Sequence, residues 1–363
     1  MKNKKIYFGT NLKMYKGNAE TVNYLTALSH LAEQLPSHYD IELFVIPSYT
    51  TLKDATTLMA SEHMRRKITI GAQNLNANDS GQFTGDISPL MLKEINTQLV
   101  MIGHSERRHI MKETDQEENE KVIAALKHGF TTLLCVGETL EQKNYAISDE
   151  ILRMQLKIGL HGIQPHQLDK LWIAYEPVWA IGNNGVPASA EYADAKHAVI
   201  KQCLFELFGA NGRDIPVLYG GSVNPENANK LIVKPHIDGL FVGRSAWDAD
   251  KFYALIRDAL HTLSEGKTDA APQACELTAT AKQLIALLGG QDNIVALTHC
   301  ATRLRVVLKN DGKMDKSGIE KLKAVKGLFS ITDQYQIILG ADIVHVVYAE
   351  MVKQMTAPQQ VAH

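Results

Sequence analysis

Eight short apolar runs recur between Ile6 and Val242, each followed by a polar or glycine-rich loop and most by a helical stretch. They are Ile6–Phe8, Leu43–Ile46, Ile68–Ala72, Leu99–Ile102, Thr132–Val136, Leu171–Tyr175, Pro216–Tyr219 and Leu240–Val242. All are short and bounded by turn signals, as strands buried on both faces are. Between them, Asp115–Lys127 and Ala190–Phe208 carry apolar residues at helical spacing. Alternating strands and helices suit a parallel sheet, and eight such units suit a closed eight-stranded α/β barrel. A doubly wound open sheet is the competing arrangement. No G-x-G-x-x-G follows the first run to support it.

The rhythm breaks near Leu263. Residues 264–275 are small and polar with one proline, and read as a flexible linker between a barrel over 1–263 and a second unit over 276–356. In that unit Thr278–Leu288, Lys316–Val325 and Asp342–Met355 read as helices. Ile294–Thr298, Leu304–Leu308, Leu328–Thr332 and Gln334–Leu339 read as strands, which predicts a small α+β domain. Residues 357–363 read as a frayed tail. Two domains also suit the length of 363 residues.

Hydrophobic residues make up 45% and charged residues 21%, which excludes global disorder. A net charge of −2 argues against a nucleic-acid binder acting through bulk charge. No apolar run is long enough for a transmembrane helix. The N-terminal residues turn polar too soon for a signal peptide. Cys135, Cys203, Cys275 and Cys300 lack the spacing of metal ligands or of a disulfide framework. They read as free thiols of a cytoplasmic protein.

In such a barrel the site lies where strands end and their loops begin. The first run leads into Asn11-Leu12-Lys13, where Asn11 and Lys13 share a face. The fourth leads into Gly103-His104-Ser105-Glu106-Arg107-Arg108, and the sixth into Glu176-Pro177-Val178-Trp179-Ala180-Ile181-Gly182. Each signal alone is weak. A lone His is more often structural, and a buried Glu is as readily one half of a salt bridge. Lys, His and Glu at three strand ends form a constellation that a barrel brings together.

These motifs, with Tyr219-Gly220-Gly221-Ser222-Val223-Asn224, resemble the triosephosphate isomerase family over roughly residues 5–262. The resemblance implies a TIM barrel and isomerisation of a small phosphosugar without metal or organic cofactor. It implies Glu176 as the general base that moves a proton between adjacent carbons. It implies His104 as a neutral donor to the enediolate, the arrangement for which this family is a standard example. Asn11 and Lys13 would add a hydrogen bond and positive potential. Glu106 would be a structural partner, a proton relay or one half of a salt bridge. Gly220, Gly221, Ser222 and Gly243 would cradle the phosphate with backbone amides, joined by Gly182 when Pro177–Gly182 closes. Arg244 would stand beside them. Gln82–Asp86 resembles the loop that reaches a neighbouring subunit's site, which implies a homodimer.

Four features depart from the family pattern. Leu12 replaces its usual Trp, Arg244 replaces a second Gly, Asn183–Pro187 differs at the end of the lid, and Ser245-Ala246-Trp247 adds bulk. They resemble a branch that isomerises erythrulose phosphate, and a smaller residue at Leu12 suggests a changed pocket wall. One extra carbon is discriminated by only ~1–3 kcal/mol in an apolar pocket.

In the second unit, Thr298-His299-Cys300-Ala301-Thr302-Arg303-Leu304-Arg305 is the densest motif. Arg303 and Arg305 favour thiolate over thiol and suit a phosphoryl group. The run resembles glucose-type enzyme IIB domains of the bacterial phosphotransferase system. The resemblance implies that Cys300 accepts a phosphoryl group from a IIA protein and hands it to a separate IIC permease. A phosphorylation-dependent sensor and a structural appendage are the alternatives. For the whole chain, a phosphotransfer or regulatory protein using the barrel as scaffold competes with the isomerase reading.

Overall fold

The computed structural model describes residues 5–182, 185–299, 302–331, 334–340 and 343–356, with side chains described over the same residues except 266–276, 345 and 356. The chain divides into two compact units, residues 1–263 and 264–363.

The first unit is a closed parallel barrel. Its strands are β1 (Ile6–Asn11), β2 (Ile41–Ile46), β3 (Thr69–Ala72), β4 (Leu99–Ile102), β5 (Thr131–Val136), β6 (Leu171–Tyr175), β7 (Val217–Tyr219) and β8 (Gly239–Val242). They pair in chain order, and β1 closes the ring on β8 with Tyr7 opposite Gly239 and Thr10 opposite Val242. Each lies on one of the eight apolar runs.

Strand alternation explains why these runs are apolar throughout. Phe44, Ile46, Leu99, Met101, Leu133, Cys135, Trp172, Ala174, Leu218 and Phe241 fill the barrel interior. Their neighbours Val45, Val100, Leu134, Ile173, Val217 and Leu240 face the surrounding helices. Gly9 makes room for one interior ring: a β-carbon there would lie 2.0 Å from Cζ of Phe44. The helices Asp115–Lys127 and Ala190–Phe208 have the bounds that the sequence pattern predicts. The first begins with a capping box, Thr114 with Glu117.

The second unit holds an antiparallel sheet of β9 (Ile294–His299), β10 (Arg303–Leu308), β11 (Gly327–Ile331) and β12 (Gln334–Ile338), in the order β11-β12-β10-β9. Leu304, Val306 and Ile337 on one face pack with Leu284, Leu288, Val347 and Met351. The α+β class holds.

The linker expectation needs correction. Residues 264–275 have helical backbone within a helix spanning Ala249–Leu287. The expected helix Lys316–Val325 is also shorter, Lys316–Glu320. The tail 357–363 and the side chain of Cys275 lie outside the described residues. No helix among the described residues is long and apolar enough to cross a membrane.

Candidate active site

All eight strands point their C-terminal ends at one rim, and that rim surrounds a cavity of about 640 Å³. Asn11 and Lys13 reach it from β1, His104 and Glu106 from the loop after β4, and Glu176 from the end of β6. Gly182, Gly220, Gly221, Ser222, Gly243 and Arg244 line it from the later loops. One cavity thus receives all the barrel residues read from the sequence as catalytic or phosphate-binding.

His104 is buried at the N-terminus of the short helix Ser105–His109. Its Nδ1 accepts the backbone N–H of Glu106 at 3.2 Å. A backbone amide can only donate, so in the neutral ring the proton sits on Nε2. Nε2 lies 3.4 Å from Oε1 of Glu176. The loop that carries His104 is pinned by Arg108, which donates to the Gly103 carbonyl at 2.8 Å and to the Cys135 carbonyl at 2.9 Å. Arg108 also contacts buried Glu118. Burial pushes the Glu118 carboxyl up to about 8, with Arg108 pulling the other way.

Glu176 is buried, and its Oε2 accepts the N–H of Ser105 at 2.9 Å. Its own N–H donates to the Val136 carbonyl at 2.7 Å. A β-carbon on Gly137 would lie 1.9 Å from the Glu176 carbonyl oxygen, so only glycine lets these two loops pass. Burial, with the charge of Glu176 nearby, pushes the Cys135 thiol well up. It is an inert interior side chain, as expected of a free structural thiol.

Lys13 has φ +53, a conformation that costs a non-glycine residue of order 1–3 kcal/mol. Its amide donates to Oδ1 of Asn11 at 2.8 Å, and its carbonyl accepts Nε2 of Gln73 at 2.7 Å. The sequence reading did not assign Gln73 a role. Nζ of Lys13 reaches Oε1 of Glu106 at 2.6 Å, so of the three expectations for Glu106 the salt bridge is what the geometry forms.

A second residue the sequence did not single out is Glu138. It is fully buried and accepts from Trp179 Nε1 at 2.9 Å, Tyr192 OH at 2.8 Å and Tyr175 OH at 3.1 Å. It thereby ties the segment after Glu176 to its surroundings. Burial, followed by the charge of Glu138, pushes the Tyr192 phenol up to about 12.

The glycine-rich rim is shaped by close approach. A β-carbon on Gly220 would stand 3.0 Å from Cγ of Glu176, and one on Gly221 would stand 2.3 Å from the Tyr219 hydroxyl oxygen. Gly182 has φ +88, which favours glycine. Space beside Gly243 is open. Arg244 is exposed in the turn that follows. Asn183 and Asn184 lie outside the described residues.

Leu12 is corrected. It is 1% exposed and packs in the layer between strands and helices, away from the cavity wall. Alternation along the chain end turns Leu12 outward between Asn11 and Lys13. The bulk at the rim comes from Trp247, whose Nε1 donates to the Asn11 carbonyl at 2.9 Å, and from Tyr15, whose ring centroid lies 4.4 Å from that of Trp247. Both line the cavity.

In the second unit, Arg305 is paired in register with Thr298 on β9 and Gln336 on β12, which puts the three on one face. Arg303 donates to the Gln336 side chain at 2.9 Å. Cys300 lies outside the described residues.

A family model described as triosephosphate isomerase matches residues 6–259, and one described as phosphotransferase system, EIIB, matches residues 282–315. An L-erythrulose-1-phosphate isomerase of Rhizobium etli is 41% identical over 252 residues, covering 69% of this chain and 91% of that protein. One of Mesorhizobium japonicum is 43% identical over 252 residues, covering 69% and 95%. The crystal structure of triosephosphate isomerase from Bartonella henselae superposes with a TM-score of 0.61 at 33% identity, covering 69% of this chain and 97% of that one.

Proposed function

The chain belongs to the triosephosphate isomerase family, and on that premise we propose that its barrel isomerises a small ketose phosphate through an enediolate. Glu176 removes the proton from the carbon beside the carbonyl. The C–H electron pair forms the carbon–carbon double bond, and the carbonyl electrons move onto oxygen. His104 donates Nε2–H to that oxygen, and Lys13 and Asn11 add positive potential and a hydrogen bond. The proton held by Glu176 then returns to the former carbonyl carbon while the neighbouring hydroxyl gives up its proton, relayed through His104 Nε2 to the first oxygen, so the carbonyl reappears one carbon along, the carboxylate is regenerated and no metal or organic cofactor is required. The observation that carries this reading is the Nδ1 contact to the Glu106 amide, which directs Nε2–H toward Glu176.

Gly220, Gly221, Ser222 and Gly243 supply the phosphate site with backbone amides, Gly182 completes it from the segment after Glu176, and Arg244 adds a cation at the rim. The substrate we favour is L-erythrulose 1-phosphate, the compound named in relatives more than 40% identical. The intact Asn11, Lys13, His104 and Glu176 set equally suits the interconversion of dihydroxyacetone phosphate and glyceraldehyde 3-phosphate. Coupled spectrophotometric assays on both ketose phosphates test the proposal. Turnover of either supports an isomerase, and inactivity on both leaves the barrel as a scaffold for a regulatory protein.

The barrel works as a homodimer through Gln82–Asp86, where Phe83 is exposed; an active monomer in sedimentation would contradict this. The second unit acts as a phosphocarrier. A phosphoryl group leaves a histidine nitrogen of a IIA protein and bonds to the Cys300 sulfur, and Arg303 and Arg305 orient it for a separate IIC permease. The match to the EIIB family supports this. Both activities belong in the cytoplasm.

A further inference from the structure

Gln155 is a polar side chain on an otherwise apolar inner helix face. It belongs to the helix Ser148–Gly159, where Leu152, Gln155, Leu156 and Gly159 recur at helical spacing and are buried. A β-carbon on Gly159 would lie 3.1 Å from a methyl of Leu134, so the helix runs close to β5. The Gln155 side chain reaches the backbone of Gly137, the residue just beyond β5. The Gly137 N–H donates to its Oε1 at 2.8 Å, and its Nε2 donates to the Gly137 carbonyl at 3.1 Å. A backbone N–H can only donate, so the orientation of the side-chain amide is fixed. One side chain thus pairs both backbone groups of Gly137, past the point where the register of β5 and β6 ends at Val136 opposite Tyr175.

The segment Cys135–Glu138 contributes none of the described residues that line the cavity, yet its backbone holds both catalytic loops. The Cys135 carbonyl accepts Arg108 at 2.9 Å, which pins the loop carrying His104. The Val136 carbonyl accepts the N–H of Glu176 at 2.7 Å, and the Glu138 carbonyl accepts the N–H of Val178 at 3.0 Å. Gly137 stands between these last two contacts. The Glu176 carbonyl oxygen lies so near that a β-carbon on Gly137 would come within 1.9 Å of it. A shift of Gly137 therefore pushes directly on Glu176. What such a shift alters is the 3.4 Å between His104 Nε2 and Glu176 Oε1.

We infer that Gln155 is a positioning residue for the isomerisation: from the helix layer it fixes Gly137, and through Gly137 the placement of Glu176 against His104. This rests on the isomerase reading above. A general base works over a narrow range of geometry, and a displacement of about 1 Å costs on the order of 10²-fold in rate. Gln155 itself does not line the cavity, so its loss leaves the phosphate contacts in place.

The test uses the full-length protein and whichever of L-erythrulose 1-phosphate and dihydroxyacetone phosphate it turns over. Kinetics are measured at a temperature where circular dichroism shows each variant folded. Gln155→Leu removes both hydrogen bonds. It is expected to lower kcat by roughly 10- to 100-fold, with KM within about threefold. Inhibition by inorganic phosphate, which probes the glycine-rich rim, should stay within about twofold. In a chain that already carries Glu176→Asp, the same change should cost less than about threefold more, because two changes that act on one placement do not add. Gln155→Glu keeps the shape. Its protonated carboxyl donates and accepts as the amide does, whereas its ionised form only accepts. Its kcat relative to the unaltered protein is therefore expected to rise as pH falls. This variant carries the test if Gln155→Leu does not fold. An undiminished kcat in folded Gln155→Leu, or a loss of equal size with and without Glu176→Asp, would reduce Gln155 to a structural bond and overturn the inference. A kcat ratio for Gln155→Glu that does not move with pH would overturn it too. Inactivity of the unaltered protein on both substrates overturns instead the isomerase reading beneath it.

Discussion

Nζ of Lys13 lies 2.6 Å from Oε1 of Glu106 across the mouth of the barrel. The ammonium is thus held in place before any substrate arrives, on a backbone that is itself strained. Glu106→Gln keeps the shape and removes the charge. The tether weakens, and kcat/KM is expected to fall roughly tenfold, about 1.4 kcal/mol of transition-state binding. Thermal stability should change little, since Glu106 is 43% exposed and such pairs contribute at most about 1 kcal/mol. Unchanged kinetics would mean that the pair is only a resting contact.

Glu176→Asp withdraws the carboxylate by one methylene from both Ser105 N–H and the reacting carbon. A displacement of about 1 Å costs on the order of 10²-fold in rate. The loss should appear in kcat, with KM within a few-fold, because the phosphate contacts remain. Steady-state kinetics at saturating substrate decides it, and near-normal turnover would remove Glu176 as the base.

Gly9→Ala forces a methyl group into the Phe44 ring and is expected to destabilise the barrel by about 1–3 kcal/mol or more. Phe44→Leu in the same chain should recover part of that loss, because the two changes share one volume. Denaturant midpoints of the four species measure the coupling. Strict additivity would show that the backbone, not the ring, absorbs the strain.

His197 is fully buried beside Tyr175 and Tyr219, with Nδ1 3.3 Å from the His236 carbonyl oxygen. Burial holds its folded-state pKa down at about 3, with Asp238 and Asp194 opposing and Lys201 reinforcing. As pH falls the unfolded chain takes up the proton first. Stability is therefore whole above about 6.5 and drains between about 6.5 and 3, by up to about 1.4 kcal/mol per pH unit. His197→Phe keeps the ring contacts and should flatten the melting temperature against pH across that window. An unchanged slope would place the acid sensitivity elsewhere.

Incubation with the general phosphotransferase proteins and a IIA partner is expected to label the chain on Cys300. Cys300→Ser should abolish the label and leave isomerase kinetics within twofold. Labelling that persists in the variant would move the acceptor to another residue, and no labelling across a panel of IIA partners would make the unit a structural appendage.

The barrel was legible because its strands are buried on both faces. Unbroken apolar runs such as Leu99–Ile102 leave no ambiguity about where the sheet lies, and Asp115–Lys127 announces its start with Thr114 and Glu117. The site was legible where chemistry demands a rare residue at a strand end, as with His104 and Glu176. It was not legible where a role depends on what approaches from elsewhere in the chain. Leu12 was read as a pocket wall although its direction turns it outward. Glu138 gathers three donors from β6, the segment beyond it and a later helix, and no local pattern encodes that convergence. Tyr15 and Trp247 meet only because β8 closes on β1. The helical backbone at 264–275 was not legible because Gly266 and Pro272 both speak against a helix.

The chain has three tryptophans, and all of them lie in the first unit. Trp172 is inside the barrel, Trp179 is bonded to Glu138 beyond the base, and Trp247 stands on the rim against Tyr15. Indole fluorescence is therefore blind to the second unit, whose aromatic chromophores are Tyr335, Tyr348 and Phe329. An unfolding curve followed by tryptophan emission reports the isomerase half of this fusion alone. Its melting can be followed optically in the intact chain, without separating the two halves.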